Sequence, residues 1–395
     1  MTASLSTSTP TAPLTTAPAP LSAIAASMVI GAVALMILGV QPVLLGALVE
    51  EHRLTDAQLG PLATVEVLAL AIGSGIGPSW LGAGRMRLKA VGLSLGLAVI
   101  TLASCLAPSA LALDALRAAA GLIEGLLMGP SIVYTIQHRH PDRLNAIFLA
   151  AATAPQVLLA YLLPIWIVPR FGTAGAFTVL AILSLASAGC ALLLTKSAKA
   201  DTAETIGKPQ WTWKVFLALG AIVLQLAAIG GAWNYIALLS DQRHFPPSVA
   251  GLAVSGGLIF QVIGALAVAM WSSRLNHRLA LVFATACQAG VICLLSLAHT
   301  AVPFLGAAFT FGLFWLAVSP FQIRLLIDFD PTRRAAMILT AVTLVGLSIG
   351  PTIAAAGVRG QDVSGAYWIC GGLMAVGAAL YSALGIGARR PRITP

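Results

Sequence analysis

The sequence predicts an all-α membrane protein with twelve transmembrane helices in two homologous six-helix bundles. Three observations predict it: a composition nearly empty of charge, basic residues gathered on one side of the predicted spans, and self-similarity at an offset near 190 residues.

Of 395 residues, 58% are apolar and 9% are charged, against roughly 25% charged in a soluble domain. A water-soluble chain of this size needs far more polar surface to cover its core, so lipid must cover this one. The five cysteines (Cys105, Cys190, Cys287, Cys293, Cys370) are scattered through apolar stretches. That spacing suits small buried hydrophobes better than a disulfide framework or a metal site. Residues 1–21 open with a Ser/Thr/Pro/Ala-rich stretch that holds no charge. They lack the basic n-region of a secretory signal and read as a disordered cytoplasmic tail.

A helix crosses the hydrocarbon with about 20 apolar residues. Six such spans fall near 22–48, 57–82, 89–108, 112–136, 145–168 and 174–195. Six more fall near 214–239, 248–271, 279–298, 302–326, 336–357 and 365–387. An even count places both termini on one side. With that side cytoplasmic, the inside segments hold 16 of the 22 basic residues, in clusters such as Arg85/Arg87/Lys89, Arg333/Arg334 and the tail 389–395. Outside loops hold only Arg53, Arg170, Arg243 and Arg359, while Arg117 and Arg324 fall within spans. Cytoplasmic loops carry such an excess. The net charge of +9 is therefore a topology signal and implies no nucleic-acid partner.

The repeat fixes the architecture. At an offset of 190, Pro130 meets Pro320, Pro141 meets Pro331 and Arg143 meets Arg333; at 191, Gly39 meets Gly230, Glu50 meets Asp241, Gly60 meets Gly251 and Arg87 meets Arg278. The unit is six spans, giving bundles at 22–195 and 214–388 joined by a polar cytoplasmic loop, 196–213.

Two parallel six-helix halves related by an axis along the membrane normal are the arrangement of the major facilitator superfamily, which this sequence resembles over residues 22–388. GPSWLGAGR at 77–85 keeps Gly77, Gly84 and Arg85 of the family's loop motif between spans two and three, with Leu81 and Gly82 where Asp and Arg are usual. Arg117 and Gly121 fit its Arg-x-x-x-Gly in span four. GLSIGPTIAA at 346–355 resembles the antiporter motif of span five but lies in span eleven. The resemblance implies a secondary transporter working by alternating access around a cavity between the halves, with the fourth span lining it.

Charges at membrane depth cost about 2.5–3.5 kcal/mol or more, so each is a functional hypothesis. Glu66 and Glu124 fall near mid-span, and Arg117 lies one to two turns inside the outer end of span four. Arg117, Gly121, Glu124 and Met128 share a helical face. A carboxylate in an apolar setting keeps its proton more readily than one in water, so Glu66 and Glu124 are the proton-coupling candidates. Arg117 is the candidate anchor for a substrate carboxylate; the structural alternative is a packing pair with Glu124 or Asp114. Gln41, Gln225, Trp233, Asn234, Tyr235, Gln261, Trp315 and Gln322 complete the substrate-binding set, since aromatics with a few amides suit an organic solute. Arg324 and Asp328 read as a structural pair, and His138, His140, His244 and His299 as solvated.

No Walker A, His-Glu-x-x-His or paired-Cys pattern is present, so no cofactor, metal or ATP-driven step is expected. Gly346 to Gly350 matches a nucleophile elbow only by letter, since it lies in an apolar helix. A receptor or lipid-modifying enzyme would need an extramembrane domain or catalytic cluster, and neither is seen. The expected partners are a small organic solute, protons and the bilayer of a bacterial inner membrane, the protein acting as a monomer. Proton-coupled uptake of an organic or aromatic acid is the leading reading, and proton-antiport efflux of drugs or metabolites the alternative.

Overall fold

A computed structural model describes residues 20–82, 84–136, 138, 141–195, 211–271, 275–332 and 334–386. The predicted tails and most of the predicted inter-domain loop fall outside these residues. The first half runs α1 (Leu21–Ala34), α2 (Met36–Glu50), α3 (Asp56–Gly82), α4 (Met86–Ala103), α5 (Ala110–Ile136), α6 (Pro141–Leu162) and α7 (Val168–Ala191). The second runs α8 (Trp213–Asn234), α9 (Ile236–Gln242), α10 (Pro247–Trp271), α11 (His277–Leu297) and α12 (Ala301–Ala317). It ends with α13 (Ser319–Phe329), α14 (Arg334–Met337), α15 (Leu339–Ala355) and α16 (Ser364–Ile386).

Nine helical runs among the described residues are long and apolar enough to cross a bilayer. One of them, Ile147–Ala191, has 45 residues, about 68 Å at 1.5 Å per residue and twice the hydrocarbon thickness. It holds two crossings. Between them lie a π-helical turn, Leu163–Ile167, and Gly172, whose φ of 62° and ψ of −165° leave the helix. Glycine tolerates that left-handed backbone, and the Glu51 carboxylate receives the Thr173 amide next to it at 2.6 Å. Two further crossings are less apolar or shorter: α5 carries Asp114, Arg117 and Glu124, and α15 has 17 residues continuing from α14. The helices thus group into twelve rods that coincide with the twelve predicted spans to within a few residues.

Within the first half, α3 and α5 pack backbone to backbone. A Cβ at Gly73, Gly77, Gly121, Gly125 or Gly129 would run into the facing helix, which is how small residues let membrane helices approach. The repeat-related pair α10 and α12 does the same through Gly264 and Gly312. Ile72, Val99, Ile182, Leu266 and Phe283 point outward, where lipid covers them.

The halves meet at the end remote from the termini. Gly60 of α3 lies under the Pro351 carbonyl of α15, and Gly251 of α10 packs on Pro164 and the Tyr161 carbonyl. The Thr352 hydroxyl and amide both bond Thr64 Oγ1, at 2.7 and 3.2 Å. That end is sealed.

Candidate functional site

The glycine seam between α3 and α5 places the intramembrane charges. Gly121 packs against the backbone of Glu66, and one turn away Arg117 Nη1 meets Glu66 Oε1 at 3.0 Å with 1% of each side chain exposed. Gln41 Nε2 of α2 donates to Glu66 Oε2 at 3.0 Å, so both carboxylate oxygens are occupied. The second Arg117 nitrogen reaches Thr101 Oγ1 of α4 at 3.5 Å, and the guanidinium lies 5.4 Å from the Phe177 ring centre of α7. The partner of Arg117 is therefore Glu66 on another span, not Asp114 or Glu124 on its own helix. A partner held by inter-helix packing has no sequence spacing to betray it.

Glu124 follows Arg117 by seven positions and lies on the same face, as expected. It is 6% exposed, and its Oε2 has no hydrogen-bond partner among the described residues; Arg117 Nε is likewise unpartnered. Both residues line a small cavity with Met36, Thr101, Leu180 and Ser184, with room for about one water. One arginine faces two carboxylates, so the set is neutral when it holds one proton.

In the second half the positions 190 residues after Arg117 and Glu124 are Ala307 and Phe314, which carry no charge. That half has an amide–phenol network instead: Gln322 Nε2 donates to Gln225 Oε1 at 2.9 Å, the Tyr381 hydroxyl donates to Gln225 Oε1 at 3.0 Å, and Gln225 Nε2 donates to Gln288 Oε1 at 3.3 Å. Gln225 and Gln322 are thus brought together. Thr101, Gln288 and Tyr381 escaped the sequence reading, because one hydroxyl or amide in an apolar run gives no periodic signal.

The remaining candidates separate. Trp233 is buried, packs edge-on against Trp315 at 5.2 Å, and donates its indole N–H to the Leu38 carbonyl of the other half at 2.9 Å. The Tyr235 hydroxyl donates to the Asp56 carbonyl across the same seam at 3.2 Å. Asn234 turns back onto Gly230 O at 2.9 Å. Gln261, half-buried on α10, leaves its Oε1 without a partner among the described residues. Asp328, expected to pair with Arg324, receives His277 Nε2 and Arg278 Nη2 from α11, each at 2.9 Å. His299, read as solvated, meets Arg243 at 2.9 Å; His140 lies outside the described residues.

The Major Facilitator Superfamily profile matches residues 23–334. No curated protein sequence matches the chain. Among solved structures, the nucleoside transporter NupG is similar with a TM-score of 0.70 at 14% identity, covering 93% of this chain and 99% of that one. A mutant form of NupG gives 0.72 at 12% identity, covering 91% and 99%. A bacterial homolog of the human lysosomal transporter Spinster, inward-facing and unoccupied, gives 0.67 at 13% identity, covering 94% and 96%. These likenesses are of fold. The profile match, spanning most of the chain and agreeing with the twelve-rod, two-half architecture, places this integral membrane protein in the Major Facilitator Superfamily of transporters.

Proposed function

We propose that this chain moves a small organic solute by alternating access, coupled to protons through Glu124 and Glu66, with both termini cytoplasmic in a bacterial inner membrane. The observation that carries the reading is Glu124, a buried carboxylate with an unpartnered oxygen beside an Arg117–Glu66 pair. An unpaired buried charge is costly, so the cluster favours holding one proton, and any rearrangement of Arg117 changes which carboxylate carries it. Arg117 is sealed inside the first half and engaged by Glu66. It acts on the carboxylates as a positioning residue and reaches a solute only if the halves move.

Trp315, partly exposed on α12, offers a ring face to such a solute, and Gln261 on α10 carries a buried amide oxygen without a partner among the described residues. This suits an aromatic or organic acid taken up by symport. A nucleoside, the solute in one neighbour's name, presents the same combination of flat ring and polar edge. Efflux by antiport is the second reading, since the carboxylates serve it equally.

A thermal-shift screen of organic acids, nucleosides and lipophilic cations at two pH values identifies the solute class. A ligand at 100 times its Kd stabilises by about 2.7 kcal/mol. With that solute in proteoliposomes, Glu124→Gln is expected to abolish pH-driven accumulation while leaving solute exchange intact. Undiminished accumulation by the variant removes Glu124 from the coupling.

A further inference from the structure

The two carboxylates of the buried cluster are not held alike. Glu66 Oε1 accepts from Arg117 Nη1 and Glu66 Oε2 from Gln41 Nε2, each at 3.0 Å. All three side chains are 1% exposed, so bulk water competes for neither oxygen. Glu124 lines the small cavity beside Arg117, and its Oε2 faces no donor among the described residues.

An ionised carboxylate accepts hydrogen bonds, whereas a protonated one must also donate. On Glu66 the proton would lie on Oε1, against an N–H of Arg117, or on Oε2, against an N–H of Gln41. Either placement sets donor against donor and breaks a buried hydrogen bond. On Glu124 the proton sits on Oε2 and breaks none.

Charge fixes the number of protons. The charged groups that act on Glu124 are Glu66 and Arg117, so the three are neutral together with one proton. The side chains packed around them, Met36 on α2, Thr101 on α4 and Phe177 and Ser184 on α7, carry no charge. Two further titratable groups lie near: the Cys105 thiol after α4, within reach of the Arg117 charge, and half-buried Asp114, three residues before Arg117 on α5.

The packing of α2 aims Gln41 at Glu66. Three residues earlier the Leu38 carbonyl takes the Trp233 indole, and at the break before α2 Gln156 Nε2 of α6 holds the Leu35 carbonyl at 3.1 Å. These bonds fix the rotation of the helix that carries Gln41.

We propose that Gln41 is a positioning residue that keeps Glu66 ionised, so that Glu124 is the carboxylate that takes up and gives back the proton of the site. This rests on the coupling reading above and narrows it: Glu66 is the fixed counter-ion of Arg117, and Glu124 alone exchanges its proton. Each exchange changes the charge of the cavity by one unit while the Gln41–Glu66–Arg117 chain stays in place.

The test is infrared spectroscopy of the carboxylic-acid C=O stretch in the lipid-reconstituted protein at neutral pH, with no solute present. An acid band is expected that moves in Glu124→Asp and stays in Glu66→Asp. Gln41→Met and Gln41→Leu remove the donor to Glu66, and losing a hydrogen bond to a buried charge shifts the sharing of the proton toward Glu66 by about tenfold or more. In either background Glu66→Asp should now move part of the band. Thr101→Val, which removes a contact of Arg117 and none of Glu66, should leave the band with Glu124. A band that moves with Glu66→Asp while Gln41 is present, or stays wholly with Glu124 in both Gln41 variants, overturns the assignment. So does a band that Glu124→Asp leaves in place, or one that Thr101→Val hands to Glu66. The readout is independent of transport, so its failure differs from undiminished accumulation by Glu124→Gln, which removes the coupling alone.

Discussion

Pro42 creates the hydrogen bond that Trp233 makes. Proline has no N–H, so the Leu38 carbonyl four residues earlier in α2 lacks its helical donor, and the Trp233 indole from the other half supplies one at 2.9 Å. A buried carbonyl left without a donor costs about 1–3 kcal/mol. Trp233→Phe is therefore expected to weaken the sealed conformation by about that amount, read as a longer distance between spin labels on cysteines placed at the exposed positions Ala57 and Gln361 in a chain whose native cysteines are replaced. In a Pro42→Ala background the helix provides its own donor, and the same substitution should have less effect. Equal effects in both backgrounds would make the bond incidental.

The Arg117–Glu66 pair should behave as a unit. Removing one partner strands a buried charge, at a cost of about 3–5 kcal/mol, whereas an apolar pair of similar volume is tolerated. Glu66→Leu is expected to lower thermal stability in detergent sharply, and Glu66→Leu/Arg117→Met to recover most of it. Additive losses would show that the two residues do not depend on each other.

Two glycines separate packing from gating. A Cβ at Gly125 meets the Leu70 carbonyl and the Ser74 amide within the first half, whereas one at Gly60 meets Pro351 and Ala355 across the seam. Overpacking costs about 1–3 kcal/mol. Gly125→Ala is expected to lower the melting temperature without favouring either conformation. Gly60→Ala is expected to shift the label distance toward the separated form, and a melting loss alone would place it with Gly125.

Arg53 and Arg243 hold equivalent corners of the two halves. Arg53 Nη2 donates to the Ser104 carbonyl at 2.7 Å, and Arg243 Nη2 to the Ser296 carbonyl at 2.6 Å. Hydrogen bonds from charged donors contribute about 1.5–3 kcal/mol. Each Arg→Ala variant should lose a similar part of that range in a melt, and a loss confined to one half would break the symmetry.

Asp362 gives a pH signature outside the membrane. Its carboxylate accepts the Ser364 hydroxyl and amide at 2.6 and 2.9 Å and the Gln242 amide at 3.2 Å, and these bonds, with Arg243 nearby, hold its pKa below the usual value. A depressed carboxylate adds stability that is complete above its unfolded pKa of about 3.9 and is lost as pH falls through the folded one. Between pH 5 and pH 3 the wild type should lose more thermal stability than Asp362→Asn; parallel curves would remove the contribution.

Reading the chain alone located all twelve spans because hydrophobic length is a local property, and Pro164, Gly172 and the charges of α5 blurred only their edges. It also found Glu66, Arg117 and Glu124, since charge in an apolar run stands out. It could not find Thr101, Gln288 or Tyr381, because common polar residues gain meaning only from what they touch. Trp233 and Tyr235 were legible as unusual residues of span seven, yet their hydrogen bonds reach Leu38 and Asp56, 195 and 179 residues away.

The sequence by itself determined the membrane class, the repeat and which charges lie inside apolar spans, because bilayer thickness and helical rise fix how many apolar residues a crossing needs. Tertiary structure alone decided who pairs with whom. Arg117 turned to Glu66 rather than to Glu124 because the α3–α5 glycine seam sets the rotation and register of both helices, and a hydrogen bond forms only where two rotations agree.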